Sequence, residues 1–279
     1  MYADLHLHST YSDGTDTPRE LFHLAKENSL HVIAIADHDS VRGVQAAIGE
    51  GLPGNVLLIP AIEVSTIVNR RLLHMLGYYI DVYSSALARF IVKISEDKTE
   101  NTRINFEAIK AMGLVDYDWN RVVQLHPDQP RISGVHVVAA MEHDGVEAKG
   151  MTLREMFRTY FLPTGSGFIE SEKMTAHDAI RIIKEAGGIP VIAHPKSIGN
   201  DIVVEELIRA GVEGLEIFHP SHTPEESEKY ESMAKAHKLL MTGGSDWHGG
   251  NNSPDVTHMG CVGLPHDGYA IFDRIRAYQ

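Results

Sequence analysis

The residues with the most chemistry to offer stand at the start of the chain, in Ala3-Asp4-Leu5-His6-Leu7-His8-Ser9. Side chains of an extended strand alternate between its two faces. His6 and His8 then share one face, while Leu5 and Leu7 enter a core on the other. Two imidazoles side by side on a rigid strand make half of a metal site. A lone His-x-His describes two half-exposed strand histidines just as well. The rest of the chain decides between these readings, because it repeats the same chemistry. The apolar run 32–36 ends in Asp37-His38-Asp39, and 56–62 ends in Glu63. Run 189–193 ends in His194, 214–218 in His219, and 239–242 in Gly243-Gly244-Ser245-Asp246-Trp247-His248. His74 lies inside the apolar run 72–78. Imidazoles and carboxylates together suit Zn²⁺, Mn²⁺ or Fe²⁺. The ligands exceed what one tetrahedral ion needs, and a carboxylate such as Glu63 can bridge two ions through its two oxygens. Ions a few ångströms apart polarise a phosphoryl group and generate hydroxide near neutral pH.

These groups need elements that bring them to one place. Uninterrupted apolar runs read as strands buried on both faces of a parallel sheet. Helical patterns alternate with them: one begins at Pro18 behind an Asp16 or Thr17 cap, and others cover 41–48, 176–186, 203–210 and 224–237. In a barrel of parallel strands, the C-terminal strand ends converge on one face. From about 84 to 169 the alternation stops, and helices are expected at 84–112, 117–124, 133–144 and 152–161 with no strand between them. A turn is expected at 69–71, a short apolar strand around Cys261-Val262, and a last helix over 269–278. The expectation is an α/β barrel built from 1–83 and 170–279, with a helical insertion, 84–169, covering its C-terminal face.

Composition narrows the function classes. The chain has 279 residues, of which 43% are hydrophobic and 23% charged, as in an ordinary globular protein. It contains no apolar stretch long enough for a membrane span. Met1-Tyr2-Ala3-Asp4 lacks the basic region and apolar run of a signal peptide. Cys261 is the single cysteine, which forbids an internal disulfide and fits a reducing cytoplasm. The net charge of −13 argues against a groove for long nucleic acid. A small phosphorylated substrate remains compatible, since bound cations reverse the local field.

The chain resembles the PHP (polymerase and histidinol phosphatase) family. The residues that carry the resemblance are Asp4-Leu5-His6-Leu7-His8-Ser9, Asp37-His38-Asp39, Glu63, His74, Ala193-His194-Pro195 and Gly244-Ser245-Asp246-Trp247-His248-Gly249, in the family's order. The resemblance implies a distorted (β/α)₇ barrel holding three divalent ions. It assigns His6, His8, Glu63 and Asp246 to the first ion, Glu63, His74 and His194 to the second, and Asp13, His38 and His248 to the third. Some members carry histidine where Asp13 stands, and the hard aspartate tilts the third position towards Mn²⁺ or Mg²⁺. Asp37 is expected to orient an imidazole from behind, and Asp39 either to do the same or to face the substrate.

The insertion and the run Glu216-Ile217-Phe218-His219-Pro220-Ser221-His222-Thr223-Pro224 resemble a stand-alone subgroup of small PHP phosphoesterases. One branch of it removes the 3′-phosphate of nucleoside 3′,5′-bisphosphates, and another trims short RNA from its 5′ end. For this chain the resemblance implies hydrolysis of a phosphomonoester on a small substrate, a nucleotide above all. Arg131, with a planar donor fork, Ser133, His136, Lys196, His219, His222 and Asp39 are the candidate substrate contacts. His219 is the first candidate general acid, followed by His222 and Asp39. The subgroup often shows Arg-Pro-His where this chain has Gly134-Val135-His136, so its substrate is less closely specified than its reaction.

Three other readings stand beside this one. The same site could act on histidinol phosphate or on the end of a short oligonucleotide. A metal-dependent amidohydrolase shares barrel and ligand types, but its usual barrel lysine has no counterpart here except Lys196. A metal- or nucleotide-binding module without turnover is disfavoured because every ligand position is filled.

Overall fold

The computed structural model describes residues 1–52, 55–68, 71–127, 129–171 and 173–276. It divides into two compact units, one formed by Met1–Thr66, Leu73–Ala88 and Ala176–Gln279, the other by Ile67–Leu72 and Arg89–Thr175.

The first unit is a nearly closed barrel. Its strands are β1 (Ala3–Leu7), β2 (Val32–Ile35), β3 (Leu57–Val68), β4 (Arg71–Tyr78), β5 (Ile189–Ile192), β6 (Gly214–Phe218) and β7 (Leu240–Gly243), hydrogen-bonded in that order in a 7-stranded sheet. β1, β2 and β3 run parallel, as do β5, β6 and β7. β4 pairs antiparallel with β5, which is the distortion of the barrel. The sheet closes where the end of β1 meets the segment after β7: His8 N–H donates to the Trp247 carbonyl at 2.9 Å, and Trp247 N–H to the His6 carbonyl at 3.3 Å.

The continuous apolar runs are buried as their composition demands. Leu5, Val32, Ala34, Ile59, Leu76, Val191 and Leu264 form one core with Tyr78, whose hydroxyl donates to the Leu5 carbonyl. Helices α1 (Pro18–Glu27) and α2 (Arg42–Gly49) follow β1 and β2. Thr17 caps α1 in a reciprocal box with Glu20, with Pro18 in the first turn, so the loop carrying Asp13 has a fixed exit.

Three expectations need correction. β3 does not stop at residue 62 but continues to Val68, so Glu63 lies inside the strand. The β-branched residues after it, Val64, Thr66, Ile67 and Val68, keep the backbone extended. The segment around Cys261-Val262 is not a strand: only Leu264 pairs with β1, through a bridge to Ala3. The C-terminal helix is shorter than expected, with a 3₁₀ turn at Ala270–Phe272 before its first α-helical residue, Asp273; residues 277–278 of the expected span, like the expected turn residues 69–70, lie outside the described residues.

The second unit takes most of α3 (Ser85–Ala111), with α4 (Trp119–Leu125), α5 (Gly134–His143) and α6 (Leu153–Tyr160), close to the four helices expected. Its own core comprises Phe106, Ile109, Val122, Val137, Met141 and Met156. In the first unit, α7 (Ala176–Glu185), α8 (Asp201–Arg209), α9 (Pro224–His237) and the last turn, α10 (Asp273–Arg276), complete the strand–helix alternation. Among the described residues, no helix is long and apolar enough to cross a membrane.

Candidate metal centre

Strands and the loops after them gather eight sequence-predicted ligands around a ninth, the Glu63 carboxylate. Glu63, fully buried on β3, faces five imidazoles. Its Oε1 lies 3.4 Å from His6 Nε2, 3.0 Å from His74 Nδ1 and 3.2 Å from His194 Nε2. Its Oε2 lies 3.3 Å from His8 Nε2 and 2.9 Å from His38 Nδ1. Asp246 Oδ1 stands 3.4 Å from His6 Nε2 and 3.1 Å from His8 Nε2. Asp13 Oδ1 is 3.3 Å from His248 Nε2 and 3.6 Å from His8 Nδ1, with Oδ2 3.7 Å from His38 Nε2. Ligand atoms fall into groups able to hold an ion: His6, His8 and Glu63; His38, Glu63 and His74; His8, Asp13, His38 and His248.

The backbone bends to make this possible. Asp39, His194 and Asp246 have φ of 51°, 26° and 53°, in the left-handed region that residues with a Cβ rarely adopt. All three stand just after a strand, where the chain must turn to present a side chain inward, and such strain concentrates at functional sites. Asp39 is held there by its own N–H on the Glu63 carbonyl and by Ser65 N–H on its Oδ1.

Electrostatics and satisfaction test whether this cluster suits cations. His6 Nε2, both ring nitrogens of His8 and Glu63 Oε2 are buried without a hydrogen-bond partner. Leaving such atoms unpaired is costly, and four of them at one point are explained by a ligand they share. Spacings of 3.1–3.4 Å between imidazole nitrogens and carboxylate oxygens match the edges of a coordination shell with bonds of about 2.1 Å. The charges agree. Burial opposes ionisation of Glu63, yet the surrounding imidazoles hold its carboxyl well below the usual range. Burial likewise opposes a charge on His8, but the Asp246 and Glu63 carboxylates outweigh it and push its pKa up to about 10. His6 is raised in the same way against its burial, whereas burial carries His74 down to about 4. The cluster therefore demands positive charge at its centre, and divalent ions meet that demand without protonating the ligands. The residues present fit a metal centre.

Two carboxylates behind the cluster were not singled out by the sequence reading. Glu216, fully buried on β6, accepts from His6 Nδ1–H at 2.9 Å and from the His194 backbone N–H at 2.7 Å. It fixes the His6 tautomer so that Nε2 offers its lone pair inward. Its signal was a charged residue in mid-strand, Gly214-Leu215-Glu216-Ile217-Phe218. Asp4, fully buried, accepts from Ser245 N–H, Ser245 Oγ and Gly260 N–H, tying β1 to the loop of Asp246. Burial raises its pKa to about 6 against those bonds. Asp37 does not orient an imidazole as expected. Its carboxylate accepts from Ser9 N–H, Ser9 Oγ and Ser12 Oγ, and so it shapes the loop that leads to Asp13.

The remaining candidates are placed as follows. His219 Nδ1 lies 3.1 Å from Ser221 N and 2.8 Å from Ser221 Oγ, and its Nε2 lies 3.4 Å from Asp246 Oδ2. His222 donates from Nδ1 to the Ile217 carbonyl, and its Nε2 is buried without a partner. The Lys196 ammonium donates to the Ser221 carbonyl at 2.7 Å and pairs with Glu226 at 2.8 Å, bracing the His219 loop. Arg131, Ser133 and His136 belong to the second unit. There Ser133 N–H donates to His136 Nδ1 at 3.0 Å, and burial lowers the His136 pKa to about 4.

The model of the PHP domain matches residues 4–122. A phosphoribosyl 1,2-cyclic phosphate 1,2-diphosphodiesterase of Eggerthella lenta is 30% identical, over 89% of this chain and 95% of its own. The chain belongs to the PHP domain family. A 3′,5′-nucleoside bisphosphate phosphatase of Chromobacterium violaceum is also 30% identical, over 91% of this chain and 90% of its own. A solved structure from Chromobacterium violaceum, described as an amidohydrolase with bound sulfate and no metal, superposes with a TM-score of 0.76 at 28% identity, covering 99% of this chain and 96% of that one. This PHP protein is a metal-dependent phosphoesterase of (β/α) barrel architecture, and the groups set out above are those that could hold its metal.

Proposed function

We propose that this PHP protein removes the 3′-phosphate of a nucleoside 3′,5′-bisphosphate, giving the 5′-monophosphate and phosphate. The observation that carries the reading is the convergence of five imidazoles on the two oxygens of Glu63, a carboxylate common to two groups that would hold neighbouring ions. The match to a bisphosphate phosphatase over nine-tenths of both chains supports the substrate class. Two or three ions, Mn²⁺, Zn²⁺ or Fe²⁺ with Mg²⁺ as an option beside Asp13, would be held by His6, His8, Asp13, His38, Glu63, His74, His194, Asp246 and His248. When bound, they neutralise phosphoryl oxygens and make water nucleophilic near neutral pH.

The chain's own groups do the rest. Glu216 holds the His6 ring, and Asp4 holds the loop that carries Asp246. His219, whose Nε2 lies beside Asp246 and whose Nδ1 lies 2.8 Å from Ser221 Oγ, is assigned the proton transfer to the leaving 3′-oxygen as its imidazolium, with His222 and Asp39 as its alternates. Lys196 is assigned to substrate recognition, while Arg131, Ser133 and His136 of the second unit keep the substrate-contact role that the family resemblance implies. The engagement of the Lys196 ammonium by Glu226 and the Ser221 carbonyl speaks against an amidohydrolase built on that lysine.

The equal identity to a cyclic phosphate diphosphodiesterase favours a second reading, a phosphodiester of a phosphorylated ribose. Measuring kcat/KM side by side for adenosine 3′,5′-bisphosphate and ribose 1,2-cyclic phosphate 5-phosphate separates them. The first reading predicts at least a hundredfold preference for the bisphosphate, and the reverse preference overturns it.

A further inference from the structure

The nine ligands are not held alike. His6 and Glu63 lie on strands and His8 directly after β1, all with no exposed surface, and Glu216 braces His6 from behind. Asp13 is different: its side chain is 55% exposed, and it sits on the loop between β1 and α1. Its partner His248 sits on the loop after β7. The loop after β7 is tied to β1 by the Trp247 backbone, whereas the Asp13 segment pairs with no strand among the described residues, so the group His8, Asp13, His38 and His248 depends on what joins the Asp13 loop to the loop after β7.

A set of hydrogen bonds joins them. Trp247 Nε1–H donates to Asp16 Oδ2 at 2.8 Å, and Asn251 Nδ2 donates to the Asp13 carbonyl at 2.9 Å. Thr15 N–H donates to the His248 carbonyl at 3.1 Å, while Thr15 Oγ1 accepts from Gly250 N–H at 2.7 Å. The loops meet too closely for a side chain at Gly249: a Cβ there, where φ is +65°, would stand 2.1 Å from Thr15 Oγ1. The His8 and His248 rings stack with centroids 4.0 Å apart, so the joined loops also fix the imidazole pair at the edge of this group.

We infer that Trp247 and Asp16 form a latch that completes the third ion's position by holding the Asp13 loop against the loop after β7. The latch residues are positioning residues, and the inference rests on the three-ion reading of the site. It sets an order: strand-held ions bind first, and the third binds last, weakest, and with a rearrangement sensed at Trp247. Removing the latch should weaken one ion alone. Partners that orient metal ligands are worth about 10- to 100-fold in affinity.

The test counts Mn²⁺ on the full-length protein by the electron paramagnetic resonance signal of the free ion, titrated at fixed pH. Wild-type protein is expected to show a tight class and one weaker ion. Trp247→Phe and Asp16→Ala are expected to weaken only the last ion, by about 10- to 100-fold. Asp16→Asn, which keeps an acceptor oxygen for the indole, is expected to restore most of it. In a Trp119→Phe background the fluorescence of Trp247 is expected to change with the last ion and not with the first. Unchanged affinity for the last ion in both latch variants overturns the inference. A uniform loss in every class, with a lowered melting temperature, also overturns it, because the contact is then merely structural. Wild-type protein that takes up no more than two ions while hydrolysing phosphoesters refutes the three-ion reading and the latch with it. A protein with three ions and no phosphoesterase activity leaves the latch standing and refutes the function.

Discussion

Replacing Glu216 by glutamine tests whether the metal centre is organised from behind as well as from within. The two carboxylate oxygens accept from two different donors, His6 Nδ1–H at 2.9 Å and His194 N–H at 2.7 Å, in a place with no solvent. A glutamine of the same shape has only one acceptor oxygen. Its NH₂ must then face either the imidazole N–H or the backbone N–H. A buried donor left without an acceptor costs about 1–3 kcal/mol. The His6 ring can escape by moving its proton to Nε2, but that removes the lone pair from the ligand position. The loss of metal affinity that follows is about 10- to 100-fold, or roughly 1.4–2.7 kcal/mol at 1.4 kcal/mol per tenfold. Chelator competition at neutral pH on wild-type and Glu216→Gln proteins measures it directly, with kcat measured at saturating Mn²⁺. The expected result is weakened binding with activity largely recovered at high Mn²⁺. Affinity within twofold of wild type refutes the reasoning, as does an activity loss that excess Mn²⁺ leaves untouched.

Other outcomes follow from the same geometry. Glu63→Ala removes the carboxylate common to two ligand groups, and bound metal is worth several kcal/mol of transition-state stabilisation. Activity should fall by about 10³-fold or more, read as phosphate release. Saturating Mn²⁺ should raise the melting temperature over a chelated sample. One ion at a hundred times its dissociation constant contributes about 2.7 kcal/mol, or roughly 5–10 °C for a domain of this size; equal melting temperatures would contradict a bound-ion site. For pH, the metal-free protein holds His8 at about 10 against an ordinary 6.5. A raised pKa gives stability that is full below 6.5 and is lost as pH rises through 10, so the chelated protein should lose denaturation midpoint across that window. The Mn²⁺-loaded protein, whose His8 is a neutral ligand, should not show this loss and should instead release metal as pH falls.

Much of the site was visible in the residues because its logic is local. Most apolar strands ended in a group able to bind cations, and parallel strands bring such ends together, so His6, His8, His38, His194 and Asp246 could be expected on one face from the sequence. Glu63 was found for the wrong local reason. The sequence after it looked like a strand end, while β-branched residues carry β3 onward through it to Val68. The direction of β4 was hidden, since an apolar strand buried on both faces has no pattern that tells antiparallel from parallel. Glu216 and Asp4 were hidden for another reason. Their partners, His6, His194 and Ser245, lie far away in sequence, and only the closed sheet makes them neighbours. Asp37 shows the reverse: a carboxylate beside a ligand histidine looked like its support, but its reach is to the loop of Ser9 and Ser12.

The central claim is that this cluster, loaded with divalent ions, hydrolyses a phosphomonoester on a nucleotide. The measurement that tests it most directly is phosphate release from adenosine 3′,5′-bisphosphate by Mn²⁺-loaded wild-type protein and by Glu63→Ala, with products resolved by chromatography and mass. The account predicts adenosine 5′-monophosphate and phosphate from wild type, no further attack on that product, and about a thousandfold slower release from the variant. Release from the variant at the wild-type rate, or none from wild-type protein shown to carry its ions, would contradict it.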